Sequence, residues 1–180
     1  MPDTALQLRL ATREDLPALR ELIPLSVRGL SRDSYTEAQI ESALIHIFGP
    51  DTSLIDDGTY YVIEGGRSLA AAGGWSRRPT LYGGDQAVRG EDRLLDPARE
   101  PARIRAFYVH PDWARRGLGR RIVEACLDAA RGAGFRRVEL AATLPGVSFY
   151  RSLGFGAHEA FDAPTPDGVG LPVVRMSLDL

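Results

Sequence analysis

Apolar and polar positions along the chain switch repeatedly between a two-residue and a helical repeat. Gln7 to Leu10 reads as a short strand. Thr12 with Asp15 marks a helix start with an acidic first turn, and Pro17 is tolerable that early. Leu16, Leu19, Leu22 and Ile23 form its apolar stripe, and Pro24 is expected to end or bend it. Thr36-Glu37-Ala38-Gln39 is a capping-box start for a second helix, with Ile40, Leu44 and Ile47 inward and Gly49-Pro50 as its stop. Thr59 to Glu64, the turn Gly65-Gly66 and Ser68 to Arg77 read as a hairpin. Ile104 to Val109 is strand-like and stops at Pro111. Leu118, Ile122, Cys126 and Ala130 then recur every fourth residue, widened by Val123 and Leu127, with Arg120, Arg121, Glu124, Asp128 and Arg131 opposite. Gly132 and Gly134 close that helix. Val138 to Ala142 suits a buried central strand, and Ala157 to Phe161 and Val173 to Asp179 are closing strands. Strands alternate with helices throughout, which places the chain in the α/β (α+β) class.

The junction between the strand ending at Val109 and the helix beginning near Leu118 carries the most chemistry. It reads His110-Pro111-Asp112-Trp113-Ala114-Arg115-Arg116-Gly117-Leu118-Gly119-Arg120. A helix start offers unpaired backbone N–H groups and the positive end of the helix dipole, which together suit a phosphate. Gly117 and Gly119 each weaken a helix start by roughly 1 kcal/mol. In return they let an anion approach the backbone with no Cβ in the way. A glycine pair alone fits a plain strand-to-helix turn equally well; the arginines packed around it favour a phosphate.

Arg115-Arg116-Gly117-Leu118-Gly119-Arg120 after Phe107-Tyr108-Val109 resembles the acetyl-CoA pyrophosphate loop of the GNAT N-acetyltransferase superfamily. Gly146-Val147-Ser148-Phe149-Tyr150-Arg151-Ser152-Leu153-Gly154-Phe155 is similar to that family's small-x-x-Phe-Tyr-x-x-Leu-Gly-Phe segment, in the same order and at the usual separation. The detailed match covers Ile104 to Phe155. Ala114 stands where the family often has Gln or Arg, Thr143 where it often has Asn, and Gly146 where Ala is usual.

The resemblance implies a mixed, mostly antiparallel central sheet flanked by helices on both faces. It also implies acetyl-CoA as co-substrate, with the pyrophosphate on the amides of Arg115, Arg116, Gly117, Leu118, Gly119 and Arg120. The pantetheine arm would pair along Phe107, Tyr108 and Val109, with Thr143 nearby. A backbone N–H near Val109 would face the thioester carbonyl. Tyr150 matches the position usually assigned as the acid that protonates the departing thiolate. For the base, Glu100 lies nearest the start of the cofactor strand and Glu64 ends a neighbouring one. Glu139, which could instead pair with Arg137 or Arg105, and His110, which alternation puts opposite Val109, are further candidates, and water chains ending at backbone would also serve. The implied activity is acetyl-CoA-dependent N-acetylation of a primary amine on a small molecule. Protein N-terminal acetylation is the nearer alternative, and a non-catalytic acyl-CoA sensor is one of a different class. The acceptor site is expected between the first two helices, the long loop and the final strands. A homodimer is compatible with the family.

Length and composition narrow the rest. A chain of 180 residues, 44% apolar and 26% charged, fits one domain over residues 1–180 that buries roughly 70% of its unfolded surface. A net charge of -2 argues against bulk nucleic-acid or anionic-membrane binding. All 22 basic residues are arginine, which excludes a lysine nucleophile, a Schiff base and lysine self-acetylation. Cys126, the single cysteine, lies on an apolar stripe and reads as core. His46, His110 and His158 fall in separate elements, so no metal is expected. Neither G-x-G-x-x-G nor Gly-Lys-Ser/Thr occurs, which excludes the Rossmann and P-loop readings. Met1 to Thr4 shows no signal-peptide pattern, so a cytoplasmic location is the expectation. The segment from Ser76 to Ala102 is long for a connection; it reads either as a solvated excursion or as an acceptor-site cover with Trp75 and Tyr82 as an aromatic wall.

Overall fold

The computed structural model describes residues 5–180, so the reading of Met1 to Thr4 lies outside the described residues. The apolar stripes meet in one seven-stranded sheet. Its strands are β1 (Gln7–Leu10), β2 (Tyr60–Gly65), β3 (Ser68–Ser76), β4 (Ala102–Val109), β5 (Arg137–Thr143), β6 (Gly156–Ala163) and β7 (Leu171–Asp179). They lie in the order β1-β2-β3-β4-β5-β7-β6. Every neighbouring pair is antiparallel except β4 and β5. A parallel pair needs a crossover, and α4 (Leu118–Gly132) supplies it. The remaining helices are α1 (Leu16–Leu30), α2 (Glu37–His46), α3 (Thr52–Asp56) and α5 (Val147–Ser152). Two apolar clusters result: one packs α4 on one face of the sheet, the other packs α1, α2 and α3 on the opposite face. The expected fold class holds. Among the described residues no helix is long and apolar enough to cross a membrane.

Local chemistry accounts for most boundaries. At the start of α2, the Gln39 amide donates to Thr36 Oγ1 at 3.1 Å and the Thr36 amide donates to Gln39 Oε1 at 2.9 Å. Before α1, the Thr12 amide donates to Asp15 at 2.8 Å. Along α4, Leu118, Ile122, Val123, Cys126, Leu127 and Ala130 are buried. Full burial of a large aliphatic side chain contributes roughly 1.5–3 kcal/mol. Burial also pushes the Cys126 thiol pKa up, consistent with a core role.

Pro24 neither ends nor visibly terminates its helix: α1 runs through it to Leu30. An interior proline costs about 3 kcal/mol through the lost hydrogen bond. Burial of Ile23, Ser26 and Val27 against the sheet offsets that cost. The five-residue α3 carries too short a pattern to be read; Asp51 caps it, accepting from the Leu54 amide at 3.2 Å.

Two irregularities shape the centre of the sheet. The β3–β4 register passes from Ala72↔Tyr108 to Gly74↔Arg105, so Ala106 and Phe107 together face Gly73. Ala106 has φ 62°, the signature of a bulge that bends the strand and frees a residue from the ladder. A Cβ at Gly73 would lie 2.8 Å from the Phe107 ring. Gly73→Val is therefore expected to displace Phe107 and lower stability by about 1–3 kcal/mol, read from denaturant unfolding. Beyond Gly73, the second irregularity is the β4–β5 ladder, which holds only at Ala102↔Val138 and Arg103↔Glu139. Past those two pairs the strands part.

The long connection after β3 is pinned along its length. Arg78 donates to Asp57 at 2.8 Å and to Asp92 at 2.9 Å. The Leu95 amide donates to the Arg77 carbonyl at 2.7 Å, and the Leu95 side chain is buried.

Candidate active site

The parting of β4 and β5 opens a cleft of about 740 Å³ that reaches both faces of the sheet. On the α4 side it is lined by the strand-to-helix loop, the first turn of α4 and α5; on the other side by α1, Phe48 and Leu81 to Gly83.

The loop owes its shape to two left-handed residues, Arg115 at φ 62° and Gly117 at φ 78°. A Cβ at Gly117 would meet nothing within 4 Å, so glycine serves the backbone angle there and leaves the approach open. The first helical bond of α4 runs from the Arg121 amide to the Gly117 carbonyl at 3.1 Å. The amides of Leu118, Gly119 and Arg120 precede it and have no partner within the helix. Arg115 and Arg120 line the cleft. Arg116 does not: its guanidinium stacks on the Trp113 ring at 4.9 Å, a cation–π contact that turns the side chain aside.

Phe107, Tyr108 and Val109 line the cleft along the free edge of β4. The Val109 amide, in the stretch expected to offer a donor to a thioester carbonyl, donates to Ser26 Oγ on α1 at 3.1 Å. Thr143 lines the opposite edge at the end of β5. Beside it the Leu144 amide donates to Tyr35 Oη at 2.8 Å, and Tyr35 Oη donates to the Pro172 carbonyl at 2.6 Å. That bridge ties the end of β5 to the start of β7. Burial raises the Tyr35 pKa to about 12, against a smaller opposing effect of the Leu144 amide.

Tyr150 reaches the cleft from α5. Its ring packs against Phe149 at 5.0 Å, Phe155 at 5.5 Å and Phe107 at 6.4 Å between centroids. Burial, with a smaller contribution from Cys126, pushes the phenol well above its ordinary pKa. The hydroxyl is therefore protonated at neutral pH, as a proton donor must be.

The carboxylates expected as bases are elsewhere. Glu64 accepts from Arg9 Nε at 3.0 Å and from Nη2 at 2.6 Å at the β1–β2 edge, away from the cleft lining. Glu100 accepts from Arg93 at 2.6 and 2.9 Å and from the Asp96 amide at 2.7 Å. These bonds, that with Arg93 foremost, lower its pKa to about 2, which makes it a poor proton acceptor as well as a distant one. Glu139 lies between Arg103 and Arg175, at 3.4 and 3.6 Å. His110 Nδ1 accepts from the Asp112 amide at 3.1 Å outside the lining. Among the described residues, no Asp, Glu or His side chain lines the cleft.

Of the two aromatics proposed for the long loop, Tyr82 lines the cleft and packs on Phe161 at 6.1 Å. Trp75 is core, edge-on to Phe135 at 6.1 Å. The final strands β6 and β7 contribute nothing to the lining. Ser26, Val27 and Leu30 do; the sequence reading missed them because the apolar stripe it traced stopped at Ile23, ahead of Pro24. It also missed a buried ion pair behind the cleft wall: Arg105 Nε donates to Asp51 Oδ2 at 2.8 Å, and Arg105 Nη1 donates to the Thr80 carbonyl at 3.0 Å.

Residues 25–155 match the sequence profile of the acetyltransferase (GNAT) family. The chain belongs to that family, and is thus an N-acetyltransferase with acetyl-CoA as its donor. No curated protein is similar enough in sequence to count as a match. Solved structures share the fold. The GCN5-related N-acetyltransferase "aminotransferase, class-II" of Rhodopseudomonas palustris is 18% identical, with 100% of this chain and 99% of that one covered and a TM-score of 0.69. The PaiA N-acetyltransferase of Thermoplasma acidophilum, in complex with coenzyme A, is 14% identical over 98% of this chain and 99% of that one, at TM-score 0.66. YncA of Salmonella typhimurium, a putative acetyltransferase with acetyl-CoA, is 20% identical over 97% and 94%, at TM-score 0.60.

Proposed function

We propose that the chain transfers an acetyl group directly from acetyl-CoA to the primary amine of a small molecule. The observation that carries this reading is the through-sheet cleft, which joins the open amides of α4 on one face to a chamber under α1 on the other. Acetyl-CoA supplies an acyl carbon already activated as a thioester. The amides of Leu118, Gly119 and Arg120, with the Arg115 and Arg120 side chains, suit its pyrophosphate by charge and by hydrogen bonding. Phe107 to Val109 offer a strand edge to an amide-bearing arm, and Thr143 offers a hydroxyl from the far side. The bulge at Ala106-Phe107 releases backbone from the β3 ladder, and we assign the oxyanion donor to that backbone rather than to Val109.

As the acceptor nitrogen bonds to the acyl carbon, the carbon–sulfur bond breaks. Tyr150 gives its proton to the departing sulfur and regains one from solvent; the nitrogen loses its extra proton to water in the cleft. A small acceptor is favoured over a polypeptide because Leu81 to Gly83, which follow the pinned Arg78, narrow the chamber from the side of the long connection.

Tyr150→Phe tests the assignment. Turnover should fall about a hundredfold, the usual scale for removing one general acid. The acetyl-CoA dissociation constant, measured by calorimetry, should be unchanged. Unchanged turnover would remove Tyr150 from the mechanism. Acetyl-CoA binding by the unaltered protein without turnover of any amine would favour the sensor reading.

A further inference from the structure

We infer that the acceptor is a weakly basic aromatic amine that enters as its free base, an inference resting on the acetyl-transfer reading above. The chamber under α1 is walled by Val27, Leu30, Phe48, Leu81, Tyr82 and Tyr108. Phe48 and Tyr108 meet edge-on at 6.1 Å between centroids, so a flat ring finds both edges and faces to pack against.

Among the described residues no carboxylate lines the chamber to pair with a positive charge. Apart from tyrosines, the ionisable side chains lining the cleft among the described residues are Arg105, Arg115 and Arg120. Behind the wall, the buried Asp51 carboxylate is already engaged by Arg105 at 2.8 Å. An ammonium entering here would lose its hydration without gaining a counter-ion, which costs several kcal/mol per ion.

The same lining sets the proton chemistry. An alkylamine with a pKa of about 10 is almost entirely protonated at neutral pH and must shed a proton before it can attack. Among the described residues the cleft lining offers neither carboxylate nor imidazole to take it. An arylamine, whose lone pair is delocalised into the ring, is already neutral. Its nitrogen becomes strongly acidic only after bonding to the acyl carbon, and water suffices to remove that proton. The apolar wall and the missing base thus describe one substrate class.

The isomers para-ethylaniline and para-methylbenzylamine differ little in size but greatly in basicity, and putrescine is a dication. With saturating acetyl-CoA at neutral pH, kcat/KM for para-ethylaniline should exceed that for para-methylbenzylamine by about tenfold or more, and that for putrescine by about a hundredfold or more. Equal or faster turnover of either alkylamine, or turnover of none while acetyl-CoA binds, overturns the inference and leaves the cofactor site standing. Failure of acetyl-CoA to bind overturns the underlying reading and this one with it. Leu30→Glu supplies a second test. Leu30 is 40% exposed at the end of α1, so the fold tolerates the change. A carboxylate there should raise kcat/KM for putrescine about tenfold and lower it for para-ethylaniline. No change in their ratio would overturn the inference.

Discussion

Gly117→Asp should lower acetyl-CoA affinity by about a thousandfold, ~4 kcal/mol, at a stability cost of only about 1 kcal/mol from the left-handed backbone angle. Position 117 has open space around it, so the new side chain meets no clash. Its φ of 78° lies in the left-handed region, which aspartate visits more readily than most residues. A carboxylate at the N-terminus of α4 also favours the helix through its dipole. The same charge would face the pyrophosphate and occupy the amides meant for it. Calorimetry with acetyl-CoA, paired with a thermal melt, separates the two effects. Gly117→Asn, of the same shape but uncharged, should bind with intermediate affinity. Undiminished binding by Gly117→Asp would reduce the loop to a plain turn.

Asp51→Ala should destabilise the protein by about 3–5 kcal/mol, because it strands a buried guanidinium. Asp51 is wholly inaccessible and Arg105 nearly so. Arg89 lies 3.2 Å from the second carboxylate oxygen, and Ser53 donates to that oxygen at 2.6 Å. One carboxylate therefore joins β4, the cap of α3 and the long connection. For a chain of this length the loss corresponds to a fall in melting temperature of about 6–20 °C, measurable by scanning calorimetry. A shift below about 1 °C would show that the pair contributes nothing to stability. The acid limb of stability should respond as well. Burial pushes the Asp51 pKa up, but the charge and hydrogen bond of Arg105 outweigh it and the net shift is downward. Its contribution is thus complete above the ordinary carboxylate pKa and is lost as pH falls through the lowered value. Asp51→Ala should flatten that limb.

Features set by short-range chemistry were legible before any coordinates. The capping box at Thr36, the β2–β3 hairpin and the stripe of α4 each depend on residues within a few positions of one another. So did the loop between β4 and α4, whose glycines, arginines and flanking strand are contiguous. Legibility failed where distant partners decide. Pro24 sits inside α1 because the sheet behind Ile23, Ser26 and Val27 holds the helix together. Glu64 and Glu100 seemed available until Arg9 and Arg93 claimed them. With 22 arginines against 24 acids, pairing is widespread, but composition does not say which acid meets which arginine. The Arg116 side chain stacks on Trp113, three residues earlier, a contact that its place in the loop does not announce.

The Ser26–Val109 hydrogen bond bears on how readily the sheet edge can be used. In an unbroken sheet the Val109 amide would meet a carbonyl of β5, locked into a ladder. Here a serine hydroxyl accepts it. A hydroxyl swings away by rotation about a single side-chain torsion, while the helix that carries it stays in place. The edge of β4 is therefore closed by a latch rather than a weld. A chain laid along it can exchange one hydrogen bond for another without parting any pair of strands.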